Sequence, residues 1–478
     1  MARIGVSASR PPTVLIAGGT VVRGGVGTAV LPKADVWISG ERISAITDAG
    51  QQPAPDGCEV IDASDAIVMP GLIDTHRHLW QTALRGMATD LVGAGAYRYQ
   101  LRDILAPLYR PEDVYAATLA GALEALECGV TTVLDWAHIM NTPEHADASI
   151  AALRESGARA VFAHSAPQDD PPKWWSNSDR NHPEDVRRVR RILSADDAAV
   201  TMALGARAPH FLQRAVKIHD CRLARELGLR IVYDGNNPPG VFPVRMLAED
   251  RLLGPDCVYV HANNLADDEY SLLAEAGAHI SMAPFAEMLG GSMPATAKAL
   301  EHGIRPAISI DLVTAVGGDL FETMRATLTG LRTWRGHVAR QEGRTPESWD
   351  VTTADILDFA TSCGAAALGM GDRIGSLAEG KLADIVLLDT RSLRLSPMNS
   401  PLGTIVLQAT PADVDTVLVG GRVVKRKGEL VAGDRDAVIT SVIRSRDRLI
   451  AEGWSRLGPL VKERLQAAGT VPMNGATV

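Results

Sequence analysis

The sequence predicts a (β/α)8 barrel accompanied by a small β-sandwich domain that is built from both ends of the chain. Between residues 66 and 311, eight apolar strand candidates alternate with helical patterns, as in parallel barrels. Near both termini, short apolar runs broken by Gly pairs are typical of strands and turns. A chain of 478 residues is long enough for a barrel and a second domain.

The β-domain is predicted from similar strand patterns at the two ends. TVLIAGGTVV and ADVWISGERISAIT lie within residues 13–48, and ADIVLLDT and VDTVLVGGRVV lie within residues 375–433. Each end alone is too short for a stable sheet core, so we expect the two to combine. The expected organisation is residues 1–66 for the N-terminal half of the β-domain, 67–372 for the barrel, 373–440 for the C-terminal half, and 441–478 for an exposed helix and a tail.

The barrel strands are predicted at residues 66–74, 130–136, 159–165, 200–208, 230–235, 258–263, 279–285 and 305–311. The helix between the first two strands shows its signals clearly, because Pro111 suits a first turn and Gly129 suits a C-cap. In such barrels the chemistry lies at the C-terminal ends of the strands. Polar residues at those ends are therefore the first candidates for a functional site.

Composition limits the partners and the compartment. A net charge of −9 and a pI near 5.8 give no reason to expect binding to nucleic acid or to an anionic membrane. The five cysteines are widely spaced, odd in number and without a CxxC motif, which favours a reducing, cytoplasmic compartment. We recognise neither a signal peptide nor an apolar run of about 18 residues that would span a membrane.

The first barrel strand ends in a metal-ligand motif. In PGLIDTHRHLWQTALRG, His76 and His78 are two residues apart and share one face of a strand. Two imidazoles on one strand face form half of a typical zinc site. Strand 6 ends with His261 in VYVHANNLADDE, and strand 8 ends with Asp311 in AISIDLVTAVGG. Packing alone is an improbable explanation for four such residues at barrel strand ends.

These motifs resemble the amidohydrolase superfamily, in particular its cytosine deaminases, S-adenosylhomocysteine deaminases and atrazine or triazine hydrolases. The resemblance covers nearly the whole chain and implies a homo-oligomer, a dimer or larger, that uses one divalent metal, zinc or iron. It implies that His76, His78 and Asp311 hold the metal and that Asp311 also takes the proton of the attacking water. It further implies that His261 polarises the substrate. The implied reaction is hydrolysis or deamination of a C–N bond in a small cyclic nitrogen compound.

The sequence departs from this family pattern on strands 5 and 7. The family carries a histidine ligand on strand 5 and a glutamate after it, whereas this chain reads IVYDGNNPP, with Tyr233 at the expected ligand position. On strand 7, residues 282–284 read Met-Ala-Pro in place of His-Cys-Pro. His210, in RAPHF on strand 4, or Asp234 is a candidate replacement, because imidazole and carboxylate both bind zinc or iron. Alternatively, His210 is a substrate-binding or acid/base group.

Further residues near the strand ends are predicted to contact the substrate. They are Trp80, Gln81, Arg85, His138, Tyr233 and Glu287. The polar loop 168–182 carries Trp174 and Trp175, which are expected beside the barrel mouth as a lid or a subunit contact, with simple loop packing as the equal alternative.

Two catalytic functions follow from this reading. The first is a metal-dependent hydrolase or deaminase with His76, His78, Asp311 and either His210 or Asp234 around the metal. The second is a metal-independent enzyme on the same barrel, an isomerase, lyase or cyclase, that uses its histidines as acid/base groups. A non-catalytic binding protein ranks last, since it has no need of the strand-end residues. Metal content separates the first two.

Overall fold

A computed structural model describes residues 13–91, 93–235, 238–293, 295–431, 433–467 and 469. The strands are β1 (Thr13–Val22), β2 (Val30–Ser39), β3 (Arg42–Asp48), β4 (Glu59–Asp62), β5 (Ala66–Pro70), β6 (Leu72–Arg77), β7 (Val130–Ala137), β8 (Arg159–His164), β9 (Val200–Arg207), β10 (Ile231–Asp234), β11 (Cys257–Val260), β12 (His279–Met282), β13 (Ala307–Ile308), β14 (Ile385–Asp389), β15 (Val414–Val419), β16 (Arg422–Arg426) and β17 (Glu429–Leu430). The helices are α1 (Gly93–Tyr97), α2 (Pro111–Glu127), α3 (Pro143–Ser156), α4 (Pro171–Trp175), α5 (Asp185–Ile192), α6 (Arg214–Glu226), α7 (Pro243–Glu249), α8 (Asp267–Glu275), α9 (Pro284–Leu289), α10 (Thr296–Glu301), α11 (Leu320–Gln341), α12 (Thr353–Phe359), α13 (Ser362–Ala367), α14 (Pro401–Gly403), α15 (Arg435–Gly453) and α16 (Pro459–Ala467).

The predicted barrel is confirmed. Strands β6 to β13 form an eight-stranded parallel sheet in chain order, and each overlaps a predicted strand. A parallel bridge between Arg77 and Asp311 brings the last strand back to the first, so that the sheet nearly closes. Asp74 strengthens this seam, because its buried carboxylate accepts the backbone N–H of Ile310 at 3.2 Å and of His76 at 3.3 Å. The closure places the ends of β6 and β13 side by side.

The strand predicted at residues 66–74 is two strands that belong to different sheets. Gly71 separates β5 from β6 and donates its N–H to the carbonyl of Asp384 at 2.9 Å. A Cβ atom at this position would lie 2.0 Å from Oγ1 of Thr131, so only glycine fits. The strand that carries His76 and leads directly to His78 thus begins at the second sheet.

The second sheet confirms that both chain ends build one β-unit. In the described residues it is a nine-stranded mixed sheet with the order β17-β16-β15-β14-β5-β1-β2-β3, and β4 pairs with β1. The antiparallel pair β5–β14 joins the N-terminal strands to the C-terminal ones. A buried ion pair links this unit to the barrel, since Arg159 donates to the two Asp384 oxygens at 2.7 and 3.0 Å. The domain limits given above stay a prediction.

The C-terminal helices pack against the barrel layer. Helix α15 begins at Arg435, six residues before the predicted start of the C-terminal helix at residue 441, and α16 follows it. Leu449, Ile450, Val461 and Leu465 are buried in the large apolar core, so the expectation of an exposed helix is wrong on this face. The predicted PMNGATV tail lies outside the described residues. Within the part of the chain that the structure describes, we find no helix with the length and hydrophobicity of a membrane span.

Candidate active site

Five ionisable side chains converge at the strand ends of the barrel. Nε2 of His76 and of His78 lies 3.5 and 3.3 Å from Oδ1 of Asp311. Nε2 of His261 lies 3.4 Å from Oδ2 of the same carboxylate. The carboxylate oxygens of Asp234 lie 3.8 to 3.9 Å from these three imidazoles. The structure therefore brings together four residues from the strand-end motifs and adds Asp234 from β10.

The donor set fits a divalent metal ion. Two groups have ligand atoms within 4.8 Å of one another: His76, His261 and Asp311 form one, and His76, His78 and Asp234 form the other. Both ring nitrogens of His76 and Oδ1 of Asp311 are buried without a hydrogen-bond partner. Buried polar atoms are rarely left unsatisfied, and a metal at this point would satisfy Nε2 of His76 and Oδ1 of Asp311. A tetrahedral ion with bonds of about 2.0–2.2 Å separates its donors by about 3.3–3.6 Å, close to the distances found here.

The backbone and neighbouring groups orient these ligands. Nδ1 of His78 lies 2.9 Å from the carbonyl oxygen of Trp136, which it meets as a donor, and this tautomer leaves Nε2 free to bind a metal. His261 and Asp311 have left-handed φ angles of 55° and 70°. Such angles are strained for residues other than glycine and cluster at functional sites. Backbone bonds hold them: the N–H of Asp311 donates to the carbonyl of His76 at 2.9 Å.

The charges in this cluster stabilise each other. Burial alone raises the pKa of Asp311, but the charge of His261 and the contacts with His76 and His78 outweigh it and hold the pKa well below the usual range. Burial alone lowers the pKa of His261, but the charge of Asp311 and the hydrogen bond with Glu287 outweigh it and raise the pKa to about 10. Burial lowers the pKa of His76. Asp311 is therefore ionised at neutral pH.

The structure of β10 does not support the predicted role of Tyr233 at the ligand position or as a substrate contact. Its side chain lies in the apolar core between the barrel and its helices, with Cys221, Cys257 and Tyr259, and it does not line the cavity. Because successive residues of a strand face opposite sides, Asp234 is the side chain that points into the barrel. Tyr233 therefore occupies neither the ligand position nor a substrate-contact position, and Asp234 stands at the end of strand 5.

His210 is near the cluster but outside both metal-binding groups found among the described residues. The structure thus does not bring it into the predicted ligand set. It lines the same cavity, its two ring nitrogens have no hydrogen-bond partner, and burial lowers its pKa. A neutral imidazole in this position is available to a substrate, which was the alternative reading of His210.

The cluster opens into a cavity of about 550 Å³, within the range of about 300–1,000 Å³ typical of small-molecule sites. His78, Asp234, His261 and Asp311 line it together with Glu287. Other lining residues are Tyr97, Arg98, Arg102, Trp175, His210 and Phe211. Trp175, from the tryptophan pair predicted beside the barrel mouth, forms part of this wall.

Comparison with known proteins is informative at this point. The family model described as "Amidohydrolase family" matches residues 67–232 and 181–424, which together run from 67 to 424. The chain belongs to the amidohydrolase family. The resemblance given by the sequence motifs is thereby confirmed, and with it the expected enzyme class, a hydrolase that acts on C–N bonds.

Relatives and solved structures agree with this assignment. A 5'-deoxyadenosine deaminase of Methanothermobacter thermautotrophicus is 30% identical over 408 residues, covering 80% of this chain and 88% of that protein. A 5-methylthioadenosine/S-adenosylhomocysteine deaminase of Pyrococcus abyssi is 28% identical over 450 residues, covering 89% and 97%. An adenosine deaminase structure from Xanthomonas campestris with bound zinc has a TM-score of 0.79 at 25% identity, covering 92% and 99%. A zinc complex of atrazine chlorohydrolase TrzN from Arthrobacter aurescens has the same fold, with a TM-score of 0.76 at 22% identity and coverage of 91% and 100%. The metal-independent alternative is not favoured.

Several predicted substrate contacts of this amidohydrolase lie behind the cavity wall. Trp80 is buried and donates through Nε1 to Nδ1 of His138 at 3.4 Å, and the His138 ring lies 4.3 Å from that of His78. Gln81 donates to the Tyr97 hydroxyl. Arg85 pairs with Glu124 at 2.7 Å and is 45% exposed. None of these four side chains lines the cavity, so the structure does not support them as direct substrate contacts.

Glu287 and His210 are the predicted contact residues that do line the cavity. Sequence reasoning missed Tyr97, Arg98 and Arg102, which reach it from the segment between β6 and α2. That segment contains no motif and no strand end, so neither spacing nor barrel geometry singles it out.

Proposed function

We propose that this chain is a zinc-dependent deaminase that removes an amino group from a small nitrogen heterocycle. The observation that supports it most is that His76, His78, Asp234, His261 and Asp311 form two candidate metal-binding groups that share His76, whose Nε2 has no hydrogen-bond partner. Amidohydrolase membership supplies the reaction class, and the deaminase relatives act on adenosine derivatives by their names. Zinc is bound in the adenosine deaminase that shares the fold.

The chain's donors define where the ion would be held. His76, His78, Asp234 and Asp311 are the proposed ligands, since the first three form one candidate group and Asp311 lies 3.5 and 3.3 Å from His76 and His78. In this proposal Asp234 replaces the histidine that the family carries on strand 5. A divalent ion there supplies Lewis acidity, which lowers the pKa of water to about 7. Iron offers the same chemistry with the same donors, so the choice of zinc rests on the neighbouring structure.

The protein's own groups then handle protons and charge. Asp311 is ionised at neutral pH and accepts the proton of the attacking water. His261 is fixed through Nδ1, which lies 3.1 Å from Oε1 of Glu287, and presents Nε2 to the centre of the site. There it stabilises negative charge that develops on the ring under attack. The hydrolysis leaves a carbonyl on the ring and releases ammonia.

Glu287 and His210 are the proposed contacts for the polar edge of the ring. Oε1 of Glu287 also accepts the N–H of Ala283 at 3.0 Å, whereas Oε2 is buried without a hydrogen-bond partner. An unsatisfied carboxylate oxygen beside the cavity is an acceptor for a ring amino group. Trp175 and Phe211 offer aromatic faces on the same wall, against which a planar heterocycle stacks.

The proposed setting is a cytoplasmic homo-oligomer acting on a small molecule. The five cysteines are free, which agrees with a reducing compartment. The oligomer rests on the family resemblance alone, and its mass in solution tests it.

The test is zinc-dependent ammonia release. The purified enzyme is stripped with a chelator, reloaded with zinc, and incubated with aminopurines, aminopyrimidines and aminotriazines. We expect ammonia from at least one ring class, loss of activity in the stripped protein, and at least a thousandfold loss in Asp311→Asn. Asparagine suits this control because it tolerates the left-handed φ. Stoichiometric zinc without ammonia from any compound, or full activity in Asp311→Asn, would overturn the proposal.

A further inference from the structure

Arg102 lines the cavity, and its guanidinium has no ion-pair partner among the described residues. It lies in the turn Arg98–Asp103, and its guanidinium carbon is 4.2 Å from the ring centre of Trp175. Its Nε and Nη2 atoms are shielded from solvent and have no hydrogen-bond partner. Burial lowers the pKa of this group, although nearby Tyr97, Asp234 and Asp103 act in the opposite direction.

Two neighbouring arginines have carboxylate partners, in contrast to Arg102. Arg98 of the same turn lies 3.7 Å from Asp103, and Arg207 lies 3.0 Å from Asp220. Among the described residues, no carboxylate comes within 4.0 Å of Arg102. A partly buried cation without an ion-pair partner is unfavourable, and stacking on Trp175 offsets only part of this cost.

The unsatisfied atoms have the geometry of an oxyanion receptor. Nε and Nη2 form one edge of the planar guanidinium, and this edge matches two oxygens of a carboxylate or a phosphate. The carboxylates that line the cavity, Asp234, Asp311 and Glu287, are already engaged with histidines. The missing anion must therefore come from a bound molecule.

We infer that the substrate carries an oxyanion group, which Arg102 binds while the heterocycle reaches the His/Asp cluster. This inference rests on the proposed function and narrows its substrate to acid-substituted heterocycles. Trp175 and Phe211, whose ring centres are 6.0 Å apart, line the same cavity as an apolar wall. The inference excludes simple neutral bases as preferred substrates.

The experiment compares matched compounds that differ only in the acid group. We would titrate zinc-loaded enzyme with 9-(carboxymethyl)adenine, 9-(phosphonomethyl)adenine and 9-(carbamoylmethyl)adenine, and with the same three derivatives of cytosine and of an aminotriazine. Calorimetry measures binding directly, independently of turnover. On at least one ring we expect an acid to bind at least tenfold more tightly than its amide. The acid derivative with the higher affinity identifies the oxyanion as a carboxylate or a phosphate-like group.

Two variants assign the preference to Arg102. In Arg102→Met, we expect the acid to bind no better than the amide, while the amide's own affinity stays within about twofold of wild type. Arg98→Met is the matched control, since this arginine lines the same cavity but is paired with Asp103, and it should keep the preference for acids. Unchanged amide binding also shows that the variant is folded.

The outcomes separate this inference from the proposed function. Equal binding of acids and amides on all three rings, or an acid preference that survives in Arg102→Met, would overturn the inference, whatever the ammonia assay shows. Acids that bind through Arg102 without any release of ammonia would refute the deaminase proposal and leave the oxyanion site standing.

Discussion

Asp234 determines whether strand β10 takes part in metal binding, and substituting it is the sharpest test of the site. The family histidine is missing from this strand, and Asp234 is the side chain that points into the barrel in its place. Three variants are informative: Asp234→Ala removes the carboxylate, Asp234→His restores an imidazole, and His210→Ala removes the other candidate ligand.

The expected magnitude follows from the distances. The Asp234 oxygens lie 3.8 to 3.9 Å from three imidazole nitrogens, close to the edge of a coordination tetrahedron. Loss of a group that only supports a ligand weakens metal binding about 10–100-fold. Loss of a direct ligand should exceed this, so Asp234→Ala should bind zinc more than about 100-fold more weakly, a change of about 2.8 kcal/mol or more. Asp234→His should stay within about tenfold of wild type, since imidazole is a standard zinc ligand.

The assay measures zinc affinity by competition with a chromophoric chelator, and zinc per chain by elemental analysis. Far-UV circular dichroism of each stripped variant checks that the fold persists. His210→Ala is the matched control and should keep its zinc. The reasoning fails if Asp234→Ala binds zinc as tightly as wild type, or if His210→Ala is the variant that loses it.

Three further predictions concern the scaffold. Arg159→Met leaves Asp384 buried without its partner and should lower the free energy of unfolding by about 3–5 kcal/mol in urea denaturation, and a loss below about 1 kcal/mol would contradict this. Gly71→Ala places a Cβ atom against Thr131 and should lower the melting temperature measured by calorimetry. The double variant Gly71→Ala/Thr131→Ala should recover part of this loss. An unchanged melting temperature in Gly71→Ala would show that the backbone at residue 71 can move away from Thr131. Burial, with the charge of nearby Arg230, lowers the pKa of His279 in the folded protein to about 4. As the pH falls below 6.5, the unfolded chain therefore binds a proton at this histidine before the folded protein does. The free energy of unfolding should decrease as the pH falls from 6.5 towards 4. His279→Gln should flatten that part of the stability curve in thermal melts, and a slope equal to wild type would count against the assignment.

The strand-end cluster could be predicted from the sequence because the geometry of a parallel barrel determines where the strand ends lie. Once eight strands are recognised, the residues that follow each strand must meet at one face. His76, His78, His261 and Asp311 could therefore be expected together, although they span more than 230 positions of the chain. The structure places the three histidines 3.3 to 3.5 Å from the Asp311 carboxylate.

The strand-5 residue could not be placed from sequence, because that strand is buried on both faces. In IVYDG, apolar residues point both inward and outward, so no alternation reveals which side chain faces the barrel axis. A shift of one residue exchanges Tyr233 for Asp234. His210 was a ligand candidate by type and by strand, but spacing along the chain cannot resolve a few ångströms across the barrel mouth. Arg102 lies in a segment without any pattern, and only its unsatisfied atoms reveal it.

The left-handed backbone at His261 and Asp311 has a consequence for engineering this protein. A non-glycine residue held at such an angle costs about 1 kcal/mol or more, and asparagine or glycine there relieves part of that strain. Removing two buried ionisable groups also removes their desolvation penalty. A screen for thermostable variants would therefore enrich for changes at the two positions that the reaction needs most. Selection for heat resistance therefore has to be coupled to zinc retention or turnover, because the substitutions at His261 and Asp311 that raise stability also remove groups that the proposed reaction uses.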